Sequence, residues 1–236
     1  MNRVCLATGM RENSQRLPGK LLQCVGGRSL VERYMDVASD VVHQTGLHKH
    51  MVATHPNNTR IVDAVRGSIH DNCKLLWRSA KSMNGETCAD IYDTWTEYIK
   101  EHWDWVLYLS PCFPFQKVED IIPVVEHLQM RHGNKPLSSA FKRRGWIWNE
   151  HGDRVVGHGE TTLNTKYAEP YWITAHVFTA YPTSVFGTPD MMNHMEPFEI
   201  PDTIEYHVDI DTADDLKMAH AVNDVLFPHQ PHQYPM

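Results

Sequence analysis

The sequence predicts an α/β fold, a three-layer α/β/α sandwich built around a mostly parallel sheet. Three observations carry that expectation. Short apolar runs alternate with stretches of helical spacing along most of the first 132 residues. The same alternation returns after residue 205, and between lies a strand-like stretch rich in turns. Repeated strand–helix–strand units imply parallel strands covered on both faces by helices.

The elements follow in order. Val4–Thr8 is an apolar run and predicts the first strand. A loop from Gly9 to Lys20 follows, then a helix capped by Ser29, with Leu30, Val31, Tyr34, Met35, Val37, Ala38, Val41 and Val42 at helical spacing. Met51–Thr54 predicts a strand and Ile61–Gly67 a short helix. Lys74–Trp77 is a third strand, and Ile91, Tyr92, Trp95, Tyr98 and Ile99 predict one amphipathic helix. Trp105–Leu109 is a strand, followed by a Pro-containing loop and a helix over Lys117–His132 whose first turn Pro123 shortens or kinks. Leu137–Phe141, Trp146–Trp148, Arg154–Val156 and Trp172–Ala180 are strand-like. Tyr206–Ile210 predicts a last strand and Thr212–Leu226 a helix capped by Thr212 with Asp215 three positions on. This gives a single domain over residues 1–227, a strand-rich insertion at 135–180, and a loose tail at 228–236.

Composition narrows the function classes. The chain has 236 residues and 22 basic against 29 acidic side chains, a formal charge of −7. That balance speaks against a nucleic-acid binder, which carries a basic face. It permits an anionic small molecule, because a few arginines make a local site on an acidic protein. No apolar stretch is long enough for a membrane span, and the first residues lack the apolar core of a secretory leader, so a cytoplasmic location is expected. Cys5, Cys24, Cys73, Cys88 and Cys112 show no Cys-x-x-Cys spacing and are expected to be reduced and mostly buried. A zinc site on these cysteines needs histidine partners brought in by the fold. The 16 histidines include no His-Glu-x-x-His motif. Most are expected to be exposed or structural, with His176 and His207, near the inferred site, the two to follow.

Two motifs carry chemistry. The loop Arg11-Glu-Asn-Ser14-Gln-Arg16-Leu-Pro-Gly-Lys20 places three cations, a hydroxyl and a Pro-Gly turn after the first strand. Guanidinium forks, a lysine point charge and loop N–H groups are what a phosphate chain needs. It is neither a Gly-x-x-x-x-Gly-Lys-Ser/Thr loop nor a Gly-x-Gly-x-x-Gly loop. The second motif is Asp209-Ile-Asp211-Thr-Ala-Asp-Asp-Leu216. On a strand, Asp209 and Asp211 share a face, and two carboxylates there suit Mg²⁺, which also binds substrate phosphates. Asp214 and Asp215 fit helix-start roles.

Both motifs resemble the signatures of the CMP-sugar synthetases, the cytidylyltransferases that activate sialic acids, related nonulosonic acids and KDO. The resemblance spans nearly the whole chain to about residue 225 and implies a Rossmann-like sheet. It implies that Arg11, Ser14, Arg16 and Lys20 bind the triphosphate of CTP, that Asp209 and Asp211 hold Mg²⁺, and that Arg11, Lys20 and Asp211 are catalytic. Weaker matches assign Arg78 and Ser110, the latter in Leu109-Ser-Pro-Cys-Phe-Pro-Phe115, to the nucleotide. Asn164, Lys166, Tyr171 and His176 fall where relatives contact the sugar. The implied reaction joins CTP and an acidic 2-keto sugar to give a CMP-sugar and pyrophosphate, in a homodimer that needs no nucleic acid and no membrane. Another nucleotide-sugar pyrophosphorylase, or a non-catalytic nucleotide- or sugar-binding relative, are the alternatives.

Overall fold

A computed structural model describes residues 1–47, 49–84, 88–92, 95–156 and 165–228. The chain runs β1 (Val4–Gly9), β2 (Cys24–Val25), β3 (Arg28–Ser29), α1 (Leu30–Thr45), β4 (His50–Thr54), α2 (Thr59–Gly67) and β5 (Cys73–Trp77). It continues through α3 (Ala80–Asn84), α4 (Cys88–Ile91), α5 (Thr96–His102), β6 (Trp105–Leu109) and α6 (Val118–Met130). The last part is β7 (Leu137–Arg144), β8 (Ile147–Trp148), β9 (Arg154–Val156), β10 (Pro170–Pro182), β11 (Glu196–Glu199) and α7 (Ala213–Leu226).

Seven strands form one sheet in the order β11-β7-β10-β6-β1-β4-β5. Pairing is parallel except on the two sides of β10, which runs against all the others. The expected mostly parallel α/β sandwich is therefore present. Its middle strands feed two cores, because alternate side chains point to opposite faces. Val4, Leu6, Val52, Trp105 and Leu107 face the core shared with α1 and α6. Cys5, Ala7, Met51, Ala53 and Val106 face a second core with Trp95, Ile99, Tyr181 and Phe186.

Both expected helix caps form. Ser29 accepts from the Glu32 N–H while Glu32 accepts from the Ser29 N–H. Thr212 and Asp215 do the same for α7. Pro123 sits inside α6, which runs through it with no break on its exposed side.

Three local expectations give way to tertiary contacts. The helix expected over Ile91–Ile99 is two pieces, α4 and α5, with α4 giving way to a turn at Tyr92 and α5 entered from a turn at Trp95. There the Trp95 indole N–H bonds the Ile91 carbonyl, and Tyr92 and Trp95 both pack on Phe186. The strand expected over Tyr206–Ile210 is a short 3₁₀ helix, Ile204–His207, followed by irregular chain. Lys117 pairs with Glu205 at 2.7 Å and the Tyr206 hydroxyl donates to Asp120 at 2.6 Å, which pulls the segment onto α6 and away from a ladder. The cysteines are less buried than expected: Cys5 is buried, Cys73 and Cys112 are half-buried, and Cys24 is exposed. Cys88 lies outside the residues with described side chains, as does the tail beyond Pro228.

Within residues 135–180, β7 and β10 belong to the main sheet, while β8 and β9 pair with each other. Strand β10 pairs with β6 only from Phe178 onward. Its first half pairs with β7 alone, so β7 and β10 project as a ribbon past the C-terminal end of β6. Between Thr174 and Thr179 the register shifts, leaving four residues of β10 opposite Ser139 alone. The Ser139 hydroxyl holds this bulge from both sides, donating to the Phe178 carbonyl at 3.1 Å and accepting from the Phe178 N–H at 3.2 Å. His176 lies in the bulge with φ +58°, a left-handed conformation uncommon for a residue with a side chain.

Candidate active site

In sheets of this kind ligands bind beyond the carboxyl ends of the parallel strands. A cavity of about 350 Å³ opens there, beyond β1 and β6. Six sequence-predicted residues meet on its wall: Arg11, Ser14, Arg16, Lys20, Ser110 and Asp211.

The loop after β1 is shaped by its own backbone. The Ser14 and Gly19 N–H groups both bond the Glu12 carbonyl, each at 3.1 Å. Gly19 takes φ +65°, which glycine adopts without a Cβ clash, and turns the chain so that Lys20 re-enters the cleft. Lys20 is largely buried and reaches Asp211 at 2.8 Å; Arg16, exposed, reaches the other Asp211 oxygen at 2.6 Å. Arg11, also exposed, donates to the Met83 carbonyl at 3.2 Å and lines a neighbouring cavity with His55, Asn57 and Asn58 as well.

Asp211 is aimed by the start of α7. The Asp215 carboxylate accepts from the N–H of Asp211 at 3.0 Å and of Thr212 at 2.7 Å. The Ile210 N–H bonds the Cys112 carbonyl at 3.0 Å and so ties the acidic segment to the loop after β6. Although no strand forms here, Asp209 and Asp211 lie close together. Burial raises the Asp209 pKa and the Asp211 charge adds to this, while Lys20 and His176 oppose it. This is a half-buried carboxylate pair whose repulsion a dication would relieve, so the donor set fits Mg²⁺.

Ser110 is fixed by its backbone, whose N–H donates to the Val177 carbonyl in the β10 bulge at 2.9 Å and whose carbonyl accepts from the Gln116 amide. Arg78 is buried and does not line the cavity. It lies behind Gly9, and its guanidinium bonds the Ser82 hydroxyl at 2.9 Å and the Ser82 carbonyl at 2.5 Å. A Cβ on Gly9 would come within 3.0 Å of the Arg78 guanidinium, so glycine permits the close approach. His176 is exposed and close enough to Asp209 to stabilise its charge. Tyr171 and Lys166 lie farther out. Tyr171 pairs with Arg143 on the ribbon, and Lys166 sits in the 3₁₀ turn Thr165–Tyr167 with its ammonium 4.6 Å from the Tyr167 ring centre. Asn164 lies outside the described residues. His207 pairs with Asp202 at 2.6 Å and stacks on Phe141, away from the cavity wall.

Two of the other residues on the cavity wall make contacts that shape it. The Tyr108 hydroxyl accepts from the Gly9 N–H at 3.4 Å and shapes the floor between β1 and β6. Cys112 faces Lys20: burial raises the thiol pKa, and Lys20 partly opposes this. Burial in turn works against the Lys20 charge, and Cys112 and Asp211 together overcome it, leaving the lysine pKa raised. Cys112 lies in the Leu109–Phe115 loop singled out from sequence, which was the available signal for it, whereas Tyr108 lies on β6 and had none.

No protein-family model matches the chain, and no curated protein sequence matches it significantly. Solved structures do. A CMP:2-keto-3-deoxy-manno-octonic acid synthetase complexed with CTP superposes with a TM-score of 0.68 at 17% identity, over 95% of this chain and 100% of that one. A 4-diphosphocytidyl-2C-methyl-D-erythritol synthase from Anaerococcus prevotii gives 0.60 at 14% identity, over 94% and 98%. A nucleotidyl transferase from Methanothermobacter thermautotrophicus gives 0.60 at 13% identity, over 96% and 100%. The mostly parallel seven-stranded sheet of this chain is thus the fold that these three structures share.

Proposed function

We propose that this protein transfers the cytidylyl group of CTP to the hydroxyl of an acidic 2-keto sugar. The observation that carries this reading is the convergence of Arg11, Arg16 and Lys20 with Asp211 on one cavity at the carboxyl ends of the strands. In the reaction the sugar oxygen bonds the α-phosphorus and its proton passes to solvent, the bond to the β-phosphate oxygen breaks, and pyrophosphate leaves. Catalysis of this kind is positioning plus charge stabilisation. Arg11, Arg16, Lys20 and the Ser14 hydroxyl would hold the β- and γ-phosphates, where charge builds on the leaving group. Arg16 and Lys20 then exchange Asp211 for phosphate oxygens, and Asp211 with Asp209 would hold Mg²⁺. The ion, when bound, supplies Lewis-acid polarisation of the α-phosphate. Ser110 would face the base. Arg78 would act from behind Gly9, by keeping the loop entrance in place.

His176 and Tyr171 would face the acceptor along the projecting ribbon, with Lys166 and Asn164 as further sugar contacts. That ribbon and its β8–β9 hairpin expose Ile147, Trp148, Trp172 and Ile173. A second copy of the chain would cover them, giving a homodimer that light scattering would detect. Among the described residues no helix is long and apolar enough to cross a membrane. A cytoplasmic location, where CTP is available and thiols stay reduced, fits this reading.

The deciding experiment offers each of four nucleoside triphosphates with Mg²⁺ and a panel of keto-sugars, with mass detection of product and release of pyrophosphate. A CMP-sugar from CTP alone supports the proposal. Binding of CTP without pyrophosphate under any acceptor overturns it in favour of a binding protein.

A further inference from the structure

A second cluster of ligating side chains lies at the other end of the sheet. His50 and Cys73 are the first residues of β4 and β5 and stand opposite each other in register. His70 comes from the loop before β5, anchored by the bond from the Cys73 N–H to its carbonyl at 2.9 Å. One donor atom from each of His50, His70 and Cys73 lies within 4.8 Å of the other two. His50 Nδ1 and His70 Nε2 face each other at 3.1 Å, with the rings nearly parallel at 5°. On the far side of its ring, His50 Nε2 meets the Tyr34 hydroxyl of α1 at 2.9 Å.

These distances match a small coordination sphere. Two imidazole nitrogens on a tetrahedral zinc ion lie about 3.3 Å apart, and a nitrogen and a thiolate sulfur about 3.6 Å, from the usual bond lengths. The donor set is of the borderline-soft type that such ions prefer. The Tyr34 hydroxyl occupies the place of the outer hydrogen-bond partner that fixes the ring of a metal-bound histidine.

We infer that His50, His70 and Cys73 bind a divalent transition-metal ion of the zinc class, with water in the fourth position. On binding, the Cys73 thiol loses its proton to solvent as the sulfur–metal bond forms. The ion would join α1, β4 and the loop before β5, and β4 separates it from the cleft by about 13 Å of strand. It is a different site from the Mg²⁺ position at Asp209 and Asp211 and does not rest on the nucleotide reading.

The test uses the full chain, reduced and stripped with a chelator, titrated with Co²⁺ in the absence of nucleotide. One equivalent should saturate a thiolate-to-cobalt charge-transfer band together with tetrahedral visible bands, and Zn²⁺ should abolish both. Cys73→Ser should remove the charge-transfer band, and His70→Gln should weaken binding by more than about 100-fold, beyond what loss of an outer partner brings. Both positions are only partly buried, so the variants are expected to fold, which circular dichroism checks. Cys112→Ser should keep the band. Absence of a saturable band in the folded protein, or a band that survives Cys73→Ser, overturns the inference.

Discussion

Asp211→Asn separates catalysis from scaffolding in the cleft. The substitution keeps the shape of the side chain and removes the charge that meets Lys20 at 2.8 Å and Arg16 at 2.6 Å. The Lys20 side chain is only 13% exposed, so its pair with Asp211 is worth about 1.5–3 kcal/mol, as for other hydrogen bonds to charged groups. Arg16 is 65% exposed, and its pair contributes between about 0 and 1 kcal/mol. A net loss of about 2 kcal/mol is therefore expected. A chain of 236 residues unfolds with an entropy near 0.5 kcal/mol/K, so Tm should fall by about 4 °C, read by calorimetry. Turnover should fall far more, by about 10²–10³-fold, the usual loss when one electrostatic stabiliser of a transition state is removed. Affinity for metal-free CTP should not drop, because Arg16 and Lys20 are released from their carboxylate. The assay is pyrophosphate release with CTP, Mg²⁺ and a keto-sugar, alongside calorimetric binding. If kcat stays within threefold of the parent while Tm falls, Asp211 is a strut for the loop and the proposed role is wrong.

Other expectations follow from the same structure. Asp214→Asn, at the exposed partner of Lys217, should change neither turnover nor Tm measurably and serves as the control. CTP should slow alkylation of Cys112 but not of Cys24, which is exposed and remote from the cavity, as peptide mass mapping would report. Ser29→Ala removes a complete capping box and should cost about 1 kcal/mol, near 2 °C in Tm. The bond from Lys117 lowers the Glu205 carboxyl to about 2, aided by its backbone hydrogen bond. A depressed carboxyl stabilises the fold above its unfolded pKa, near 4.5, and that stability is lost as pH falls toward 2. Lys117→Met should therefore flatten the acid-unfolding curve between these limits and lower stability at pH 7 by about 2 kcal/mol, allowing for screening at the half-exposed lysine.

Much of this architecture was legible in the sequence because it is locally encoded. The Ser29 and Thr212 caps need only a hydroxyl and an acid three positions on, and the strands β1, β4 and β6 are uninterrupted apolar runs. What was not legible depends on partners far along the chain. The segment at Tyr206 folds as it does because Asp120 and Lys117 lie beneath it, 86 and 88 residues earlier than their partners. The break between α4 and α5 is set by packing on Phe186. The cationic loop was readable as a phosphate-binding site from its own residues. Its meeting with Asp211 spans 191 residues and rested on a resemblance rather than on any spacing. Most of the histidines were expected to be exposed or structural. His50 and His70 are 20 residues apart on different elements, so no short pattern could announce that their rings meet.

The bulge in β10 has a mechanical consequence. Its residues 170–174 are clasped to β7 and its residues 178–182 to β6, while the stretch between lacks regular pairing on both sides. Ladder pairing is sparsest there, and His176 and the Val177 carbonyl that holds Ser110 are both inside it. A tilt of the outer ribbon thus reaches the inner cleft through a single compliant joint, leaving the parallel strands and the cationic loop in place. Closing over a second reactant would change the spacing of two half-sites at the expense of a few backbone torsions, with no strand having to slide.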